Sequence, residues 1–576
     1  MSRPLVRVRD LSVHFGDTAA VEGVSFDLEP GRCVALVGES GSGKSVTGRS
    51  LLGLVGPGSR VQADELSLDG SDLRSFSERE WRRVRGGEVA LVLQDALVSL
   101  DPLVRIGSQV TDAVRVHSDA TRSARRARAL SLLADVGVPE PELRAAQYPH
   151  ELSGGLRQRA LIASALAASP RVLIADEPTT ALDVTVQRQV LQLLGRVREA
   201  GTALLLISHD LAVVAQLADE ILVLKDGRVV ERGAPREVLT APTDPYTRRL
   251  IAAIPSGRTR GERLSGAASV SLARAPHSRA AGRTGVRTEA PSVATPAFTA
   301  SRAAAPAAVA AGAPGARPPA PVLTAHGLTK TYRRPDGGRL RAVDDVSFAL
   351  GRGSALGVVG ESGSGKSTVA GIVLGLTDPD AGTVELDGTP WVPAPERLRR
   401  PRRHGIQVIS QDPLGSFDPR HTVEAIVSEA LAQAGVHRRE RRERAASLLE
   451  QVGLDATLLS RHPLTLSGGQ RQRVAIVRAL AVEPDVLVCD EPVSALDVSV
   501  QAQVLDLLAD LRAELGISLL FISHDLGVVR HVADDVVVMR GGRIVEAGPV
   551  DTVFDDPRHP YTRELIHAIP TLLTRP

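Results

Sequence analysis

The stretch Gly-Glu-Ser-Gly-Ser-Gly-Lys-Ser occupies residues 38–45, and the same eight residues occur again at 360–367. Each copy directly follows a short apolar segment, residues 34–37 or 356–359, that is typical of a buried strand. Glycines in this pattern let backbone N–H groups curl around phosphate oxygens, and the helix that follows presents its positive N-terminal end. The duplicated stretch therefore predicts two phosphate-binding loops, each on an α/β sheet.

The lysine and serine of each loop carry the most specific chemistry, because lysine reaches the terminal phosphates and a serine hydroxyl suits Mg²⁺. Only four of the 69 basic residues in the chain are lysines, and two of them stand in these loops. The residues expected to hold the phosphates are Gly38, Ser40, Gly41, Gly43, Lys44 and Ser45 in the first loop and Gly360, Ser362, Gly363, Gly365, Lys366 and Ser367 in the second.

A whole module is duplicated, since further landmarks return in the same order after the loop. They are Leu-Ser-Gly-Gly at 152–155 and 466–469, Asp-Glu-Pro at 176–178 and 490–492, Ser-His-Asp at 208–210 and 523–525, and Pro-Tyr-Thr-Arg at 245–248 and 560–563. We therefore divide the chain into a first module at 1–256, a linker at 257–321 and a second module at 322–576.

The composition is that of a globular protein, with 576 residues, 43% hydrophobic and 24% charged. The net charge of +2 gives no sign of a nucleic-acid binder, so no nucleic acid is expected as a partner. Only two cysteines occur, which excludes a disulfide framework or a four-thiolate metal site and fits a reducing cytosol. A signal peptide is not expected, and neither is a segment that crosses a membrane.

The linker is rich in Ala, Pro, Gly, Ser and Arg and contains only two acidic residues, Glu262 and Glu289. This composition predicts a disordered segment that buries no core. As a flexible coil it would span about 44 Å, enough for the two modules to face each other. We expect a passive tether; contact of its arginines with anionic lipid or RNA is the alternative.

Two further apolar strand candidates in each module lead into chemically active residues. Segments 172–175 and 486–489 run into Asp-Glu-Pro, and segments 204–207 and 519–522 run into Ser-His-Asp. Open α/β sheets place their ligands at these carboxyl ends of strands. The phosphate loop, the Leu-Ser-Gly-Gly signature, Asp-Glu-Pro and Ser-His-Asp, in this order, resemble the nucleotide-binding subunit of ABC transporters over both modules.

The resemblance implies an α/β fold: two tandem P-loop ABC ATPase domains, each with a RecA-like core and a helical subdomain that carries the signature. It also implies ATP and Mg²⁺ as ligands and hydrolysis at both loops. The matching positions beyond the loops are Asp176, Glu177, His209 and Gln94 in the first module and Asp490, Glu491, His524 and Gln411 in the second.

Each of these residue types has an implied role. The aspartates resemble those that hold Mg²⁺ together with Ser45 and Ser367, and the glutamines resemble those that approach Mg²⁺ and water. The glutamates resemble the carboxylate that polarises the attacking water, which suits a proton acceptor near the γ-phosphate. The histidines resemble those that contact the γ-phosphate.

The signature segments precede helical stretches, so hydroxyl, N–H groups and helix end together make an anion site. In the family this site caps the ATP on the partner module, which implies two composite sites between head-to-tail modules. The residues expected there are Ser153, Gly154, Gly155, Ser467, Gly468 and Gly469, with Asp183 and Asp497 at the contact between the two modules.

Phe15 and Tyr332 lie ahead of the loops and resemble the aromatic residue that stacks on adenine; an ordinary core aromatic is the alternative. Cys33 and Cys489 lie in apolar segments and are expected to be small core residues rather than redox centres.

The Pro-Tyr-Thr tails resemble the C-terminal extension of the dipeptide, oligopeptide and nickel importer ATPases. Within that group the partners are two transmembrane permease subunits and an extracytoplasmic substrate-binding protein, with the ATPase at the cytoplasmic face of the membrane. Short peptides rank first as cargo, ahead of nickel or another chelated metal and of other small solutes.

A different class stays open at this point: tandem ABC ATPases that act on ribosomes also lack membrane spans. Their linker is typically a charged helical hairpin, unlike the Ala- and Pro-rich segment found here. Sugar importers also use tandem modules, commonly with one degraded site and without this tail.

Overall fold

The computed structural model describes residues 3–94, 99–180, 182–255, 261–266, 321–333, 338–494 and 496–569. Within these residues the two modules have the same architecture. Each combines a mostly parallel six-stranded sheet, a smaller antiparallel sheet and a group of helices inserted between two strands of the large sheet. The predicted α/β class and its duplication are confirmed.

The strands of the first module are β1 (Val6–Phe15), β2 (Thr18–Leu28), β3 (Cys33–Val37), β4 (Ser59–Gln62), β5 (Glu65–Leu68), β6 (Ser71–Asp72), β7 (Val89–Val92), β8 (Val172–Asp176), β9 (Ala203–Ser208), β10 (Glu220–Lys225) and β11 (Arg228–Gly233). Its helices are α1 (Lys44–Ser50), α2 (Glu78–Val84), α3 (Ile106–Val116), α4 (Arg122–Asp135), α5 (Pro141–Ala145), α6 (Gly154–Ala165), α7 (Val184–Glu199), α8 (Leu211–Leu217), α9 (Pro235–Thr240) and α10 (Pro245–Ala252).

The strands of the second module are β12 (Pro321–Arg333), β13 (Arg339–Gly351), β14 (Ala355–Val359), β15 (Ala381–Leu386), β16 (Thr389–Val392), β17 (Ile406–Ile409), β18 (Val486–Asp490), β19 (Ser518–Ile522), β20 (Asp535–Arg540) and β21 (Arg543–Pro549). Its helices are α11 (Lys366–Val373), α12 (Glu396–Arg399), α13 (Val423–Gln433), α14 (Arg441–Gln451), α15 (Gly468–Leu480), α16 (Val498–Leu515), α17 (Leu526–Val532), α18 (Val550–Asp555) and α19 (Pro560–His567).

The large sheet of the first module has the order β11-β10-β3-β9-β8-β7, and that of the second is β17-β18-β19-β14-β20-β21. All strands except the edge strands β11 and β21 pair in parallel. The central strands are buried along their whole length, as an apolar run covered on both faces requires. All six strand segments proposed from the sequence lie within β3, β8, β9, β14, β18 and β19.

Helices α3 to α6 stand between β7 and β8 and form the helical subdomain that the resemblance implied. Helix α6 begins directly after Ser153, whose Oγ accepts a hydrogen bond from the N–H of Leu156 and so caps the helix. Ser467 caps α15 in the same way. None of the helices that the structure describes is long and apolar enough to cross a membrane.

The linker prediction differs from the structure at one point, residues 261–266. Leu264 is only 2% exposed and lies in the same buried cluster as core residues of the second module. A six-residue segment needs no core of its own when another module supplies one, and composition does not reveal this. Residues 267–320 lie outside the described residues, so the passive tether stays a prediction there.

The two modules contact each other along a surface that we call the seam. It is formed by the N-terminal ends of α7 and α16 and by the phosphate loops of the opposite modules. The Oδ2 of Asp183 accepts a hydrogen bond from the N–H of Ser362 at 3.4 Å. On the other side, Ser499 donates its hydroxyl to the carboxylate of Glu39. Each of these two contacts therefore joins the start of a helix in one module to the phosphate loop of the other.

These contacts generate a prediction for the intact chain. We expect the Glu39→Cys and Ser499→Cys double variant to form a disulfide within one chain on mild oxidation, because the two side chains touch across the seam. The only native cysteines are Cys33 and Cys489, both buried, so the background is low. The product is measured as a shifted monomer band on a non-reducing gel, and each single variant is the control. A product of chain dimers alone would contradict the intramolecular seam.

Candidate functional site

Each phosphate loop connects a buried parallel strand to a helix, β3 to α1 and β14 to α11. Gly43 has a φ of 97°, and a Cβ there would lie 2.5 Å from the carbonyl oxygen of Ala20. Gly365 has a φ of 104° and lies even closer to the oxygen of Ala342. Only glycine accepts this combination of backbone angle and close approach. The loop conformation anticipated from the sequence is therefore present in both modules.

The loop lysines are buried and hold the loops closed. Nζ of Lys44 donates to the carbonyl oxygens of Gly38 and Glu39, at 2.9 and 2.7 Å. Nζ of Lys366 makes the same two contacts in its own loop. Burial lowers the pKa of Lys44, and nearby carboxylates oppose this effect, among them Asp497 from the opposite module. The ammonium group thus lies in a pocket to which both modules contribute charge.

The hydroxyl and carboxylate expected to hold Mg²⁺ lie together. Ser45 Oγ donates to Oδ1 of Asp176 at 2.9 Å, and burial raises the pKa of this aspartate. In the second module, Asp490 Oδ1 is buried without a hydrogen-bond partner among the described residues. A hard cation prefers such oxygen donors, and a buried, partnerless carboxylate oxygen fits one. The residues present therefore fit Mg²⁺ bound by one carboxylate, one hydroxyl and phosphate.

No group of three or more His, Cys, Asp or Glu side chains that could hold a metal occurs in the part of the chain that the structure describes. A metal site made of protein ligands alone is therefore not found there.

The glutamate after each of these aspartates is the centre of a hydrogen-bonded cluster. The carboxylate of Glu177 lies 3.2 Å from Nδ1 of His209 and accepts a bond of 2.6 Å from Nε2 of Gln94. Glu491 has the same neighbours, His524 at 3.1 Å and Gln411 at 2.9 Å. The structure thus brings together three residues that lie far apart in each sequence repeat.

The charges within this cluster are coupled. Burial opposes the ionised form of Glu177, but His209 and Thr180 outweigh it and bring the pKa of the carboxyl below its ordinary value. The same contact with Glu177 outweighs burial for His209 and raises the imidazole pKa. The pair Glu491 and His524 shows the same two directions. Each glutamate is therefore held as a carboxylate.

The backbone conformation at Glu177 and Glu491 orients both side chains. Their φ angles are 48° at Glu177 and 50° at Glu491, in the left-handed region that costs a residue with a Cβ about 1 kcal/mol or more. Their N–H groups donate to the next strand, to the carbonyl oxygens of Ile207 and Ile522. This strain at the end of a strand turns each carboxylate toward its histidine.

Among the described residues, the hydrogen bonds of the signature segments stay within their own modules. Ser153 and Ser467 cap their helices, while the hydrogen bonds that cross the seam come from Asp183, just before α7, and from Ser499, in the first turn of α16. Gly155 packs against α7, where an added Cβ would lie 2.5 Å from Cγ1 of Val186. Gly469 packs on Val500 in the same manner, whereas Gly154 has open space around it. Binding of a nucleotide by these segments stays a prediction.

Phe15 and Tyr332 are exposed by 38% and 40%, so the alternative of ordinary core aromatics is wrong for both. Each ends or nearly ends a strand whose hairpin partner runs against the phosphate loop, as the contacts of Ala20 and Ala342 show. Adenine stacking stays a prediction. Cys33 and Cys489 are buried, and burial raises the pKa of both thiols, as expected for core residues.

Sequence reasoning missed one pair of site residues, the tail tyrosines. The hydroxyl of Tyr246 accepts a hydrogen bond of 3.1 Å from the N–H of Glu39, and Tyr561 does the same for Glu361. Both rings are buried, and burial raises both hydroxyl pKa values to about 12. The tail of each module thus reaches the phosphate loop of that module. The repetition of Pro-Tyr-Thr-Arg in both modules was the sequence signal that could have pointed to this contact.

Two family models match this chain, each at two places. Residues 21–180 and 343–494 match the ABC transporter family model, and residues 230–277 and 545–575 match the oligopeptide/dipeptide transporter C-terminal region. The chain is 42% identical to the peptidoglycan transport ATP-binding protein YejF of Agrobacterium fabrum, over 98% of this chain and 96% of the relative.

Two further relatives span nearly the whole chain. The oligopeptide transport ATP-binding protein OppD of Mycobacterium tuberculosis is 42% identical over 98% of both chains. The glutathione import ATP-binding protein GsiA of Salmonella typhimurium is 40% identical over 99% of this chain and 90% of the relative.

A solved structure also covers both modules. It is the archaeal ribosome recycling factor aABCE1 in complex with the ribosomal stalk protein aP1, with a TM-score of 0.56 and 20% identity over 95% of this chain and 90% of that one. At this identity the likeness concerns the fold alone, so it gives no support to the ribosomal alternative. The family models and the full-length relatives place the chain in the ABC transporter family, as an ATPase with two tandem nucleotide-binding domains.

Proposed function

We propose that this chain powers the import of short peptides through a pair of membrane permeases, using ATP at two sites between its own modules. The observation that carries the proposal is the duplicated cluster of glutamate, histidine and glutamine beside an intact phosphate loop. Both copies are complete, so both sites are proposed to hydrolyse ATP.

At each site the residues divide the work. Lys44 exchanges its bonds to loop carbonyls for the β- and γ-phosphates of ATP, while the loop N–H groups hold the same oxygens. Glu177 accepts a proton from the attacking water. Gln94 holds the Glu177 carboxylate in place, and His209 orients it. The other imidazole nitrogen, Nε2, donates to the γ-phosphate. Ser45 and Asp176 would hold Mg²⁺, which when bound would neutralise charge that develops on the phosphate oxygens. The second module uses the equivalent residues.

The two modules are proposed to pair within one chain. The seam contacts of Asp183 and Ser499 with the opposite loops support this arrangement. ATP bridges a phosphate loop and the opposite signature, Ser467 for the first site and Ser153 for the second. ADP lacks the γ-phosphate and bridges them less well, so ATP favours the closed state and hydrolysis reopens it. Phe15 and Tyr332 stack on adenine.

Closure is passed to two permease subunits that dock near Gln94 and Gln411, with the chain at the cytoplasmic face of the membrane. An extracytoplasmic binding protein delivers the cargo. Short peptides rank first because the matched C-terminal region and the names of OppD and GsiA refer to oligopeptides and glutathione. Nickel and other small solutes rank lower.

The first test concerns the proposed catalytic carboxylates. Glu177→Gln together with Glu491→Gln should lower ATP turnover about 100-fold or more while ATP binding persists, because glutamine keeps the shape but accepts no proton. Turnover is measured by phosphate release in the assembled complex. Glu199→Gln, at the exposed end of α7, is the matched control. Parental turnover in the double variant would reject the assignment.

The second test concerns the tail tyrosines. Removing the hydroxyls with Tyr246→Phe and Tyr561→Phe leaves two loop N–H groups without their partner, at a cost of about 0.5–1.5 kcal/mol each. We expect the KM for ATP to rise about two- to tenfold while the melting temperature falls little. Tyr148→Phe, in the helical subdomain, is the control. An unchanged KM in the double variant would reduce the tyrosines to packing.

The third test concerns cargo. Cells with and without the gene are compared for uptake of labelled di- and oligopeptides, with Lys44→Ala plus Lys366→Ala as the variant that cannot use ATP. We expect uptake to fall to background in the deletion strain and in this variant. Unchanged uptake in a strain without another peptide importer would eliminate peptides as cargo and leave the ATPase assignment intact.

A further inference from the structure

The first module ends on the surface of the second. Helix α10 packs against α16, and Ala253, just past the end of α10, belongs to the same buried cluster as core residues of the second module. The chain is described again at Gly261, and Leu264 lies in that same cluster. One apolar residue of the first module, Ala253, and one of the linker, Leu264, are thus buried in a cluster with core residues of the second module.

The segment of residues 261–266 is held by an acidic pair on α16. The guanidinium of Arg263 makes two hydrogen bonds to the carboxylate of Asp510, at 2.8 and 3.2 Å. The carboxylate of Asp506 accepts hydrogen bonds from the backbone N–H groups of Leu264 and Ser265, at 3.0 and 2.9 Å, and from the Ser265 hydroxyl. Asp506 is 4% exposed, so its charge is shielded from water.

These contacts involve the backbone of the segment as well as its side chains. Asp506 binds two consecutive N–H groups, which fixes the direction of the segment, and the planar fork of Arg263 matches one carboxylate in a bidentate contact. The apolar side chain of Leu264 lies between them in sequence and is buried. A segment held by backbone, charge and apolar contacts together is docked in one register.

The receiving surface exists in one module only. Helix α7 is the counterpart of α16, and the aligned positions carry Gln192 where α16 has Asp506 and Arg196 where it has Asp510. Both of these side chains are exposed. Arginine at 196 would repel a second Arg263, so the duplicated modules have diverged at this surface.

We infer that residues 261–266 form a strap that clasps the second module and holds the two modules as one particle. The strap goes beyond the proposed transport function and rests only on the proposed pairing of the modules. Because it docks on α16, residues 267–320 begin and end on the same module. The connection between modules is then the short segment 256–260, which spans at most about 22 Å between Pro255 and Gly261.

The strap acts through effective concentration. A short connection and a docked strap keep the two halves of each ATP site near each other after the seam opens, so each reclosure is an intramolecular step. The long segment 267–320 adds nothing to this. Cutting it should therefore leave the modules together, whereas weakening the strap should let them separate.

The test uses the full chain with a specific protease site inserted between residues 290 and 300. After complete cleavage of the parent, we expect one particle of full mass in native mass spectrometry and size-exclusion chromatography at micromolar concentration. Arg263→Ala and Leu264→Asp, separately, should raise the dissociation constant of the two fragments at least tenfold. Separation of the cleaved parent, or variants that stay together as firmly as the parent, would overturn the strap.

Controls keep the result specific. Arg196→Ala changes the matching position of α7 and should leave the dissociation constant of the cleaved fragments unchanged; a rise equal to that of Arg263→Ala would overturn the assignment of the strap to α16. The double variant Arg263→Asp with Asp510→Arg restores the charge pair in reverse and should recover most of the lost affinity, and failure to do so would overturn this contact as its basis.

In the uncleaved Arg263→Ala variant, the crosslink between Glu39→Cys and Ser499→Cys measures the pairing of the modules independently. If this crosslink is retained while the cleaved fragments bind each other more weakly, the result supports the strap. If the crosslink does not form in the chain that keeps Arg263, the pairing of the modules on which the strap rests is absent.

Discussion

Each phosphate loop is confined between two backbone carbonyls, and the rest of the module is arranged around this confinement. Gly38 lies against the oxygen of Leu224 at the end of β10, and Gly43 lies against that of Ala20 in β2. The loop therefore touches the parallel sheet on one side and the antiparallel sheet on the other. Glycine at both positions is a condition for closing the two sheets on each other as well as for binding phosphate.

Much of this site could be predicted from the sequence, because its residues follow buried parallel strands. The apolar runs ending at Asp176 and Ser208 indicated where two strands end, and carboxyl ends of neighbouring parallel strands meet at one edge of a sheet. That placed Glu177 and His209 together. The antiparallel sheet was not predicted in detail, since strands such as β13 alternate irregularly between buried and exposed positions and carry bulges.

Contacts between distant segments were beyond the sequence for a different reason. The hydrogen bond from Glu39 to Tyr246 joins residues 207 positions apart, and that of Leu264 to Asp506 joins residues 242 apart. Neither partner has a local pattern that points to the other. The Tyr246 contact is repeated in the second module and so carries a signal; the Asp506 contact occurs on one module, within a linker whose composition argues for disorder.

The strap also sets an order of events during synthesis. Leu264 leaves the ribosome while α16, about 250 residues further along, has yet to be made, so at about 5–20 residues per second this apolar side chain waits for tens of seconds without its partner. The first module can fold in that time, but its carboxyl end remains uncovered. Because residues 267–320 carry much Pro, Ala and Arg and few large apolar side chains, the waiting end is followed by chain that resists aggregation. Assembly of this enzyme is thus completed only when the last third of the second module has been translated.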